Sequence, residues 1–406
     1  MTVPIKNPSK VYPVKGIKLA AVKSNIRYAD RLDLVLVEII QGSNVVGVFT
    51  QNAFSAAPVQ IAKSHLETTN SRFFLINTGN ANAGTGEDGI VAALLSCNTL
   101  ADIGNSKCEE ILPFSTGVIG EPLPLDKILA GIPTAYSKLK ENDWVNAATG
   151  IMTTDTVPKL VSKKLELAGK KVTITGIAKG SGMIKPNMAT MLAFVFTDAE
   201  IERTLLEQLL SNAVKSSFNR ITVDGDTSTN DACMLVATGE SGVSVDKTHD
   251  ADGLKRFSSA LNELFVDLAK ALIRDAEGAS KFVTINVTEG ASEAECLAVA
   301  YTVAESPLVK TALFASDANW GRILAAVGRA GIDGFNLKKV RIFLGDTCLV
   351  SEGSLSAEYS EAAGQAEMNK VDICITINLG RGSCNETVWT SDLSHDYVRI
   401  NAEYRT

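Results

Sequence analysis

Thr190 stands at a sharp boundary in the sequence. Residues 178–189 carry Gly180, Gly182, Pro186 and Asn187, whereas residues 191–196 are apolar without interruption and are followed by Thr197 and Asp198. The apolar run reads as a short strand buried on both faces, which makes a rigid mount. The glycines and proline before it read as an irregular approach to that mount. A threonine hydroxyl becomes an effective nucleophile when a base takes its proton, and the threonine's own α-amino group can be that base once the preceding peptide bond is cut. The Ala189–Thr190 bond suits such a cut, because a small alanine leaves its carbonyl open to the adjacent hydroxyl. On chemistry alone, a threonine that merely opens a core strand accounts for the same residues.

Other positions supply groups that acyl chemistry needs. Ser115-Thr116-Gly117 follows an apolar run at a turn, where the Thr116 hydroxyl and the Gly117 amide can stabilise an oxyanion; such turns are also ordinary loop chemistry. Thr153, Thr154 and Thr156 offer hydroxyls suited to a zwitterionic ligand, although β-branched residues also fill plain strands. Lys179 falls between a strand and Gly180, in the neighbourhood of Thr190. It is either a cation for a substrate carboxylate or proton transfer, or a solvated loop lysine. Glu277 ends a helical pattern over residues 254–277 that stops at Gly278. An acid there opposes the helix dipole and calls for a cationic partner such as a ligand ammonium. The chain stays patterned to its end, so Asn401 and Thr406 are tied down, either against a ligand or in a docked terminal strand.

The elements that must position these groups are strands and helices in no regular alternation, which favours α+β layers over a doubly wound sheet. Residues 32–40 and 45–50 flank Gln41-Gly-Ser-Asn44 and predict a hairpin. A helix over 59–65 places His65 on its surface, and 73–77 is a strand. Gly84, Gly86 and Gly89 spell GxGxxG, but six residues separate them from that strand, and Glu87 and Asp88 would repel a pyrophosphate. Helices are predicted over 90–100, 125–141, 200–217 and 292–303. Strands are predicted over 170–178, 282–287, 340–344, 372–378 and 387–390, and residues 232–237 form a further apolar run. Asp224, Asp226 and Asp231 lack the terminal Glu of a calcium loop and read as structural hydrogen bonding.

With 406 residues, 45% of them hydrophobic, the chain can bury a large core. A net charge of -7 argues against nucleic-acid or anionic-membrane partners and leaves small molecules as clients. No apolar run reaches signal-peptide or membrane-span length, so a cytoplasmic protein is expected. Seven scattered cysteines read as buried thiols rather than a disulfide framework. Three histidines without HExxH spacing argue against a zinc site, and no metal or cofactor is expected.

The run Lys179-Gly-Ser-Gly-Met-Ile-Lys-Pro-Asn-Met-Ala-Thr-Met-Leu-Ala-Phe194 closely resembles the self-cleavage region of the ornithine acetyltransferases, or glutamate N-acetyltransferases, of arginine biosynthesis. Further matches extend over nearly the whole chain: residues 49–59, Asn77-Thr-Gly-Asn-Ala-Asn-Ala83, Ser115-Thr-Gly117, Ile151-Met-Thr-Thr-Asp-Thr156, Ser228-Thr-Asn-Asp231, Asp317-Ala-Asn-Trp-Gly-Arg322 and the terminal residues 404–406. The resemblance implies a four-layer α-β-β-α sandwich shared with self-processing aminopeptidases. It implies self-cleavage at Ala189–Thr190 into an α chain of residues 1–189 and a β chain of 190–406, assembled as a heterotetramer of two α and two β chains. Thr190 is then the nucleophile, Thr116 and Gly117 the oxyanion hole, and Thr153 (or its neighbour Thr154), Lys179, Thr190, Glu277, Asn401 and Thr406 the substrate contacts. In that reading Lys179 holds a carboxylate and Glu277 an ammonium. The implied substrates are N2-acetylornithine and glutamate, with acetyl-CoA left open as a second donor. A related self-processing aminopeptidase is the alternative enzyme, and a nucleotide-binding or scaffolding protein built on the Gly-rich loops is the alternative outside catalysis.

Overall fold

The structure, a computed structural model, describes residues 3–5, 10–185, 191–246 and 250–404. Two units are distinguished: a larger one of Lys6–Asn219 and Thr227–Leu272, and a smaller one of Met1–Ile5, Arg220–Asp226 and Ile273–Thr406.

The larger unit contains two sheets. β1 (Ile17–Val22), β2 (Leu34–Ile39), β4 (Phe73–Asn80) and β5 (Ile111–Val118) lie side by side in one. The other runs β3 (Asn44–Phe49), β9 (Ala232–Ala237), β8 (Leu192–Thr197), β7 (Lys170–Lys179) and β6 (Lys159–Leu167). Their facing sides share one core, in which Leu19, Val35, Val37, Phe74, Ile76 and Phe114 meet Ile177, Leu192, Phe194, Phe196, Met234 and Val236. The ring of Phe194 packs edge-on against Phe114, at a centroid distance of 5.0 Å. The alternate residues of the first sheet, Leu34, Leu36, Phe73 and Leu75, are equally apolar. They bury against α2 (Gly86–Gly104) and α3 (Leu125–Ser137) through Cys97, Leu100, Ile128 and Ile132. On the second sheet, α5 (Arg203–Lys215) packs along β3 and β9, and Leu264 and Leu268 of α6 (Ala251–Arg274) lie over Gly176 of β7. The order helix, sheet, sheet, helix is the expected four-layer sandwich. Strands covered on both faces need apolar residues at every position, which is why they read as continuous runs. α1 (Ala57–Thr68) and α4 (Trp144–Gly150) lend Ala62, Leu66, Trp144 and Ala148 to the core between the sheets.

The expected hairpin over residues 32–50 does not form. β2 pairs with β1 and β4, while β3 pairs antiparallel with β9. The turn at Gln41 to Ser43 passes the chain from one sheet to the other, and turn chemistry alone does not distinguish that from a hairpin. β6 and α4 were not anticipated.

The smaller unit holds a sheet in the order β13 (Ser354–Leu355), β12 (Thr347–Ser351), β11 (Arg341–Leu344), β14 (Asp372–Asn378), β10 (Phe282–Gly290) and β15 (Cys384–Ser391). Its helices are α7 (Glu293–Ala304), α8 (Pro307–Phe314), α9 (Trp320–Gly328), α10 (Glu361–Met368) and α11 (His395–Ala402). Val283, Ile285 and Val287 of β10 alternate with less buried positions and meet Val299 and Val303 of α7 in the core. Of the two readings of the terminal residues, the docked strand does not hold: residues 395–402 form α11, capped by the Ser394 hydroxyl, which accepts from the Tyr397 amide. No helix among the described residues is long and apolar enough to cross a membrane.

β8 lies between β7 and β9, with Lys179 opposite Leu192 in the antiparallel register. A chain cut before Thr190 therefore keeps strands of both fragments in one sheet.

Candidate active site

β7 ends at Lys179, and that lysine is buried, with 4% of its surface exposed. Its Nζ donates to Thr116 Oγ1 at 3.1 Å and to Thr153 Oγ1 at 2.9 Å. A buried ammonium needs partners to offset its lost hydration, and two of the hydroxyls singled out in the sequence supply them. Thr116, Thr153 and Lys179 thus converge, and the solvated-lysine reading is set aside. Thr154 points elsewhere, since its hydroxyl shares a 2.7 Å hydrogen bond with that of Ser181.

Asp155 makes this convergence possible, and sequence reasoning missed it. The carboxylate is buried, with Oδ2 accepting from the Thr153 amide at 2.9 Å and Oδ1 from the Gly180 amide at 2.8 Å. Lys159, with none of its surface exposed, donates its Nζ to the same Oδ1. One carboxylate therefore clamps the backbone beside both Thr153 and Lys179. Burial pushes its pKa up, but the charges of Lys159 and Lys179 and the Gly180 amide outweigh burial and hold it well below the usual carboxylate range. A carboxylate four residues before a lysine reads equally well as a surface pair, so spacing gave no warning.

Because the folded value lies below the unfolded one, this contribution to stability is complete above the unfolded value of about 3.9 and is lost as pH falls toward the folded value. Asp155→Asn leaves Lys159 buried without its counter-charge and is expected to cost about 3–5 kcal/mol near pH 7. Calorimetry should show that deficit narrowing toward pH 3, where the wild type begins to lose the same contribution.

Thr116 and Gly117 lie near the end of β5, within the strand rather than at a turn. β5 runs parallel to β4, and the register slips at Gly79 and Asn80, so that Asn80 faces both Thr116 and Val118. Gly117 has φ +138. The strand end is braced from two sides: the Ser115 hydroxyl donates to Asn77 Oδ1 at 2.6 Å, and Asn230 Nδ2 donates to the carbonyls of Ser115 at 2.9 Å and Ala81 at 2.7 Å. Asn77 and Asn230 were not singled out from the sequence as functional residues, although both fall inside the matching motifs. The Gly84, Gly86 and Gly89 run is closed on itself: Thr85 donates to Asn82 Oδ1, and Asn82 donates to the Gly89 carbonyl. His65 sits on α1 as expected but faces inward, its Nδ1 2.7 Å from the Ile111 carbonyl. It steadies the start of β5 rather than meeting solvent.

α6 stops at Arg274, so Glu277, in the smaller unit, lies beyond the helix in a turn rather than at its last residue. Glu277 is buried and accepts from Asn401 Nδ2 at 2.7 Å, which brings these two expected residues together. Gly278 explains the fit of α11. With φ +67, a Cβ there would come within 2.5 Å of Ser394 Oγ and 2.6 Å of the Tyr397 nitrogen. Gly278→Ala is expected to loosen α11 at a cost of about 1–3 kcal/mol, read as faster amide exchange along that helix. Tyr397 donates its hydroxyl to Asp224 Oδ2 at 3.1 Å, the structural hydrogen bonding expected of that acid. Ala189, Thr190 and Thr406 lie outside the described residues.

The ArgJ family model matches residues 18–406. The sequence is 52% identical over 396 residues to the arginine biosynthesis bifunctional protein ArgJ of Pseudomonas fluorescens (strain Pf0-1), covering 98% of each chain. It is 50% identical over 399 residues to the protein of the same description from Psychrobacter arcticus, again covering 98% of each. Among solved structures it is similar to arginine biosynthesis bifunctional protein argJ from Bacillus halodurans. The TM-score is 0.49 and the identity 38%, and the match covers 52% of this chain and 98% of that one.

Proposed function

This chain belongs to the ArgJ family, acyltransferases of arginine biosynthesis, and we propose that it moves the acetyl group of N2-acetylornithine to glutamate through an ester on Thr190. The observation that carries this reading is the meeting of Lys179, Thr116 and Thr153 at the end of β7. It lies in register with Leu192, two residues beyond Thr190.

The nucleophile is made by the chain itself. The Thr190 hydroxyl attacks the Ala189 carbonyl, the Ala189 acyl group shifts from nitrogen to oxygen, and water hydrolyses the ester, leaving Ala189 as a carboxylate and Thr190 with a free amine. In turnover that amine takes the hydroxyl proton while the oxygen attacks the acetyl carbonyl. Thr116 and the Gly117 amide stabilise the resulting oxyanion. Ornithine departs with the proton and an acetyl ester remains. The glutamate amine then attacks this ester, N-acetylglutamate leaves, and the threonine hydroxyl is restored.

In the same reading Thr153 and Lys179 bind substrate, Lys179 through a carboxylate. Glu277, Asn401 and Thr406 are substrate contacts on the strength of the family pattern. The assembly is two α and two β chains, the compartment is the cytoplasm, and acetyl-CoA serves as a second acetyl donor to glutamate, in keeping with relatives described as bifunctional.

Two measurements test this together. Denaturing mass analysis of active protein should give two fragments divided at Ala189–Thr190, and initial rates should give parallel double-reciprocal lines. An active single chain, intersecting lines, or peptide hydrolysis without glutamate-dependent transfer would overturn the proposal. Supplying acetyl-CoA and glutamate without acetylornithine isolates the second donor.

A further inference from the structure

One buried acid has no part in the chemistry above. Asp231 immediately precedes β9 and is 1% exposed. Its Oδ1 accepts from the Met191 amide at 2.7 Å, whereas its Oδ2 is buried with no hydrogen-bond partner among the described residues. An unsatisfied buried acceptor is costly and calls for an explanation.

The loop carrying this acid is not slack. The Asp231 carbonyl accepts from the Thr50 amide at 3.0 Å, the Ser228 carbonyl from the Thr50 hydroxyl at 2.7 Å, and Ser228 Oγ from the Asn230 amide at 3.0 Å. With Asn230 also tied to Ser115 and Ala81, the carboxyl has little freedom to turn toward another partner. The groups that act on it are Lys179 from β7, the Met191 amide at the head of β8 and Ser228 from its own loop. Burial outweighs all three and pushes the acid well above its ordinary value. Asp155, which Lys179 also influences, stays strongly ionised.

The Met191 nitrogen is the amide of the Thr190–Met191 bond, three bonds from the nitrogen of Thr190 itself. Covalent geometry keeps two such nitrogens within about 4 Å of one another at any rotation. An amine released at Thr190 therefore arises beside a nitrogen already held by Asp231.

Building on the self-cleavage reading above, we infer that Asp231 is a positioning residue for the N-terminal threonine, its Oδ1 fixing the Met191 amide and its Oδ2 receiving an N–H of the Thr190 amine. That bond turns the amine's lone pair toward its own hydroxyl. When the amine takes the hydroxyl proton, the new ammonium is the counter-charge that the buried Asp231 otherwise lacks, and it favours the ionised form of the acid. The proton then leaves with ornithine, and no other reactant is needed. An ionised carboxylate beside an amine raises the amine's affinity for protons, so the pair titrates as a unit.

Asp231→Asn tests this, because its carbonyl oxygen still accepts from Met191. It should be cut into the wild-type fragments, since the second oxygen acts only after cleavage. The plateau kcat should fall about 100-fold, and the acid limb of kcat/KM should move down by about one pH unit or more. A purely structural role would lower kcat and stability without moving that limb. A folded but uncut variant, or an unshifted limb, would overturn the inference. A second readout needs no variant: the pH dependence of cyanate carbamoylation of the wild-type Thr190 amine should give a pKa above the ordinary α-amino range of about 7.7–8.0, and a value within or below that range would overturn it too. If the wild type itself is not cut at Thr190, the self-cleavage reading fails first. If it is cut and active but neither shift appears, only the role of Asp231 fails.

Discussion

Thr190→Ala is expected to leave one 43.1 kDa chain under denaturing conditions and to abolish acetyl transfer. The same oxygen is needed twice in the proposed scheme, first to attack the Ala189 carbonyl and then to carry the acetyl group, so no partial function survives its loss. Removing a covalent nucleophile typically costs a factor of about 10⁴ or more, and here the base is lost as well, because the uncut chain has no free amine at residue 190. The fold should survive, since β8 begins beyond the substitution and keeps its pairing with β7 and β9. Thermal unfolding near that of the wild type, with no fragments and no product, is the expected combination. Thr190→Ser retains an oxygen of the same kind and should still be cut, more slowly, with part of the activity returning alongside the fragments. Native-state size should not change on cleavage, because β7 and β8 hold the two fragments in one sheet. Only a denaturing measurement separates the outcomes.

How much of this was legible beforehand follows from the range of each interaction. The strand after Thr190 was readable because residues 191–196 are apolar without a break, and β8 is buried along its whole length. The layering was readable because strands such as β2 are apolar at both parities. The partners of strands were not: residues 32–50 carry the local signals of a hairpin, yet β3 pairs with β9, nearly 190 residues away. Side-chain surroundings were the least legible. Lys179 next to Gly180 looks like a loop lysine until β7 is seen to carry it between Thr116 and Thr153. The choice between Thr153 and Thr154 was a question of register, and the structure separates their partners where the sequence could not. His65 has the composition of a helix surface around it but turns inward to a carbonyl 46 residues on. Asp155 was passed over because an acid in a polar run looks solvated, whereas it is buried; Asp231 reads as a structural hydrogen bonder, and only the fold shows that its partner is the Met191 amide just ahead of β8.

Gly117→Ala is expected to lower kcat for acetyl transfer by about 10²–10³, the usual loss when an oxyanion donor is displaced. At φ +138 the backbone occupies a region that essentially only glycine adopts, so an alanine there is strained before any contact is counted. Contact makes it worse. A Cβ would stand 2.3 Å from the Gly79 carbonyl carbon and 2.5 Å from the Asn80 nitrogen, and both are backbone atoms of β4 rather than movable side-chain ends. Relief requires β5 to draw away from β4 at the register slip where Asn80 faces Thr116. That displacement carries the Thr116 hydroxyl away from Lys179 and turns the Gly117 amide, so both expected oxyanion donors move together. Gly120→Ala is the matched control: it too has positive φ, +81, but open space where the Cβ would go. It should incur only the backbone strain of about 1–2 kcal/mol and keep transfer within a few-fold of wild type. Should Gly117→Ala fold and transfer acetyl at the rate of Gly120→Ala, the oxyanion must be held elsewhere. If its kcat falls while KM for acetylornithine stays near the wild-type value, the loss lies in the transition state, where an oxyanion hole acts.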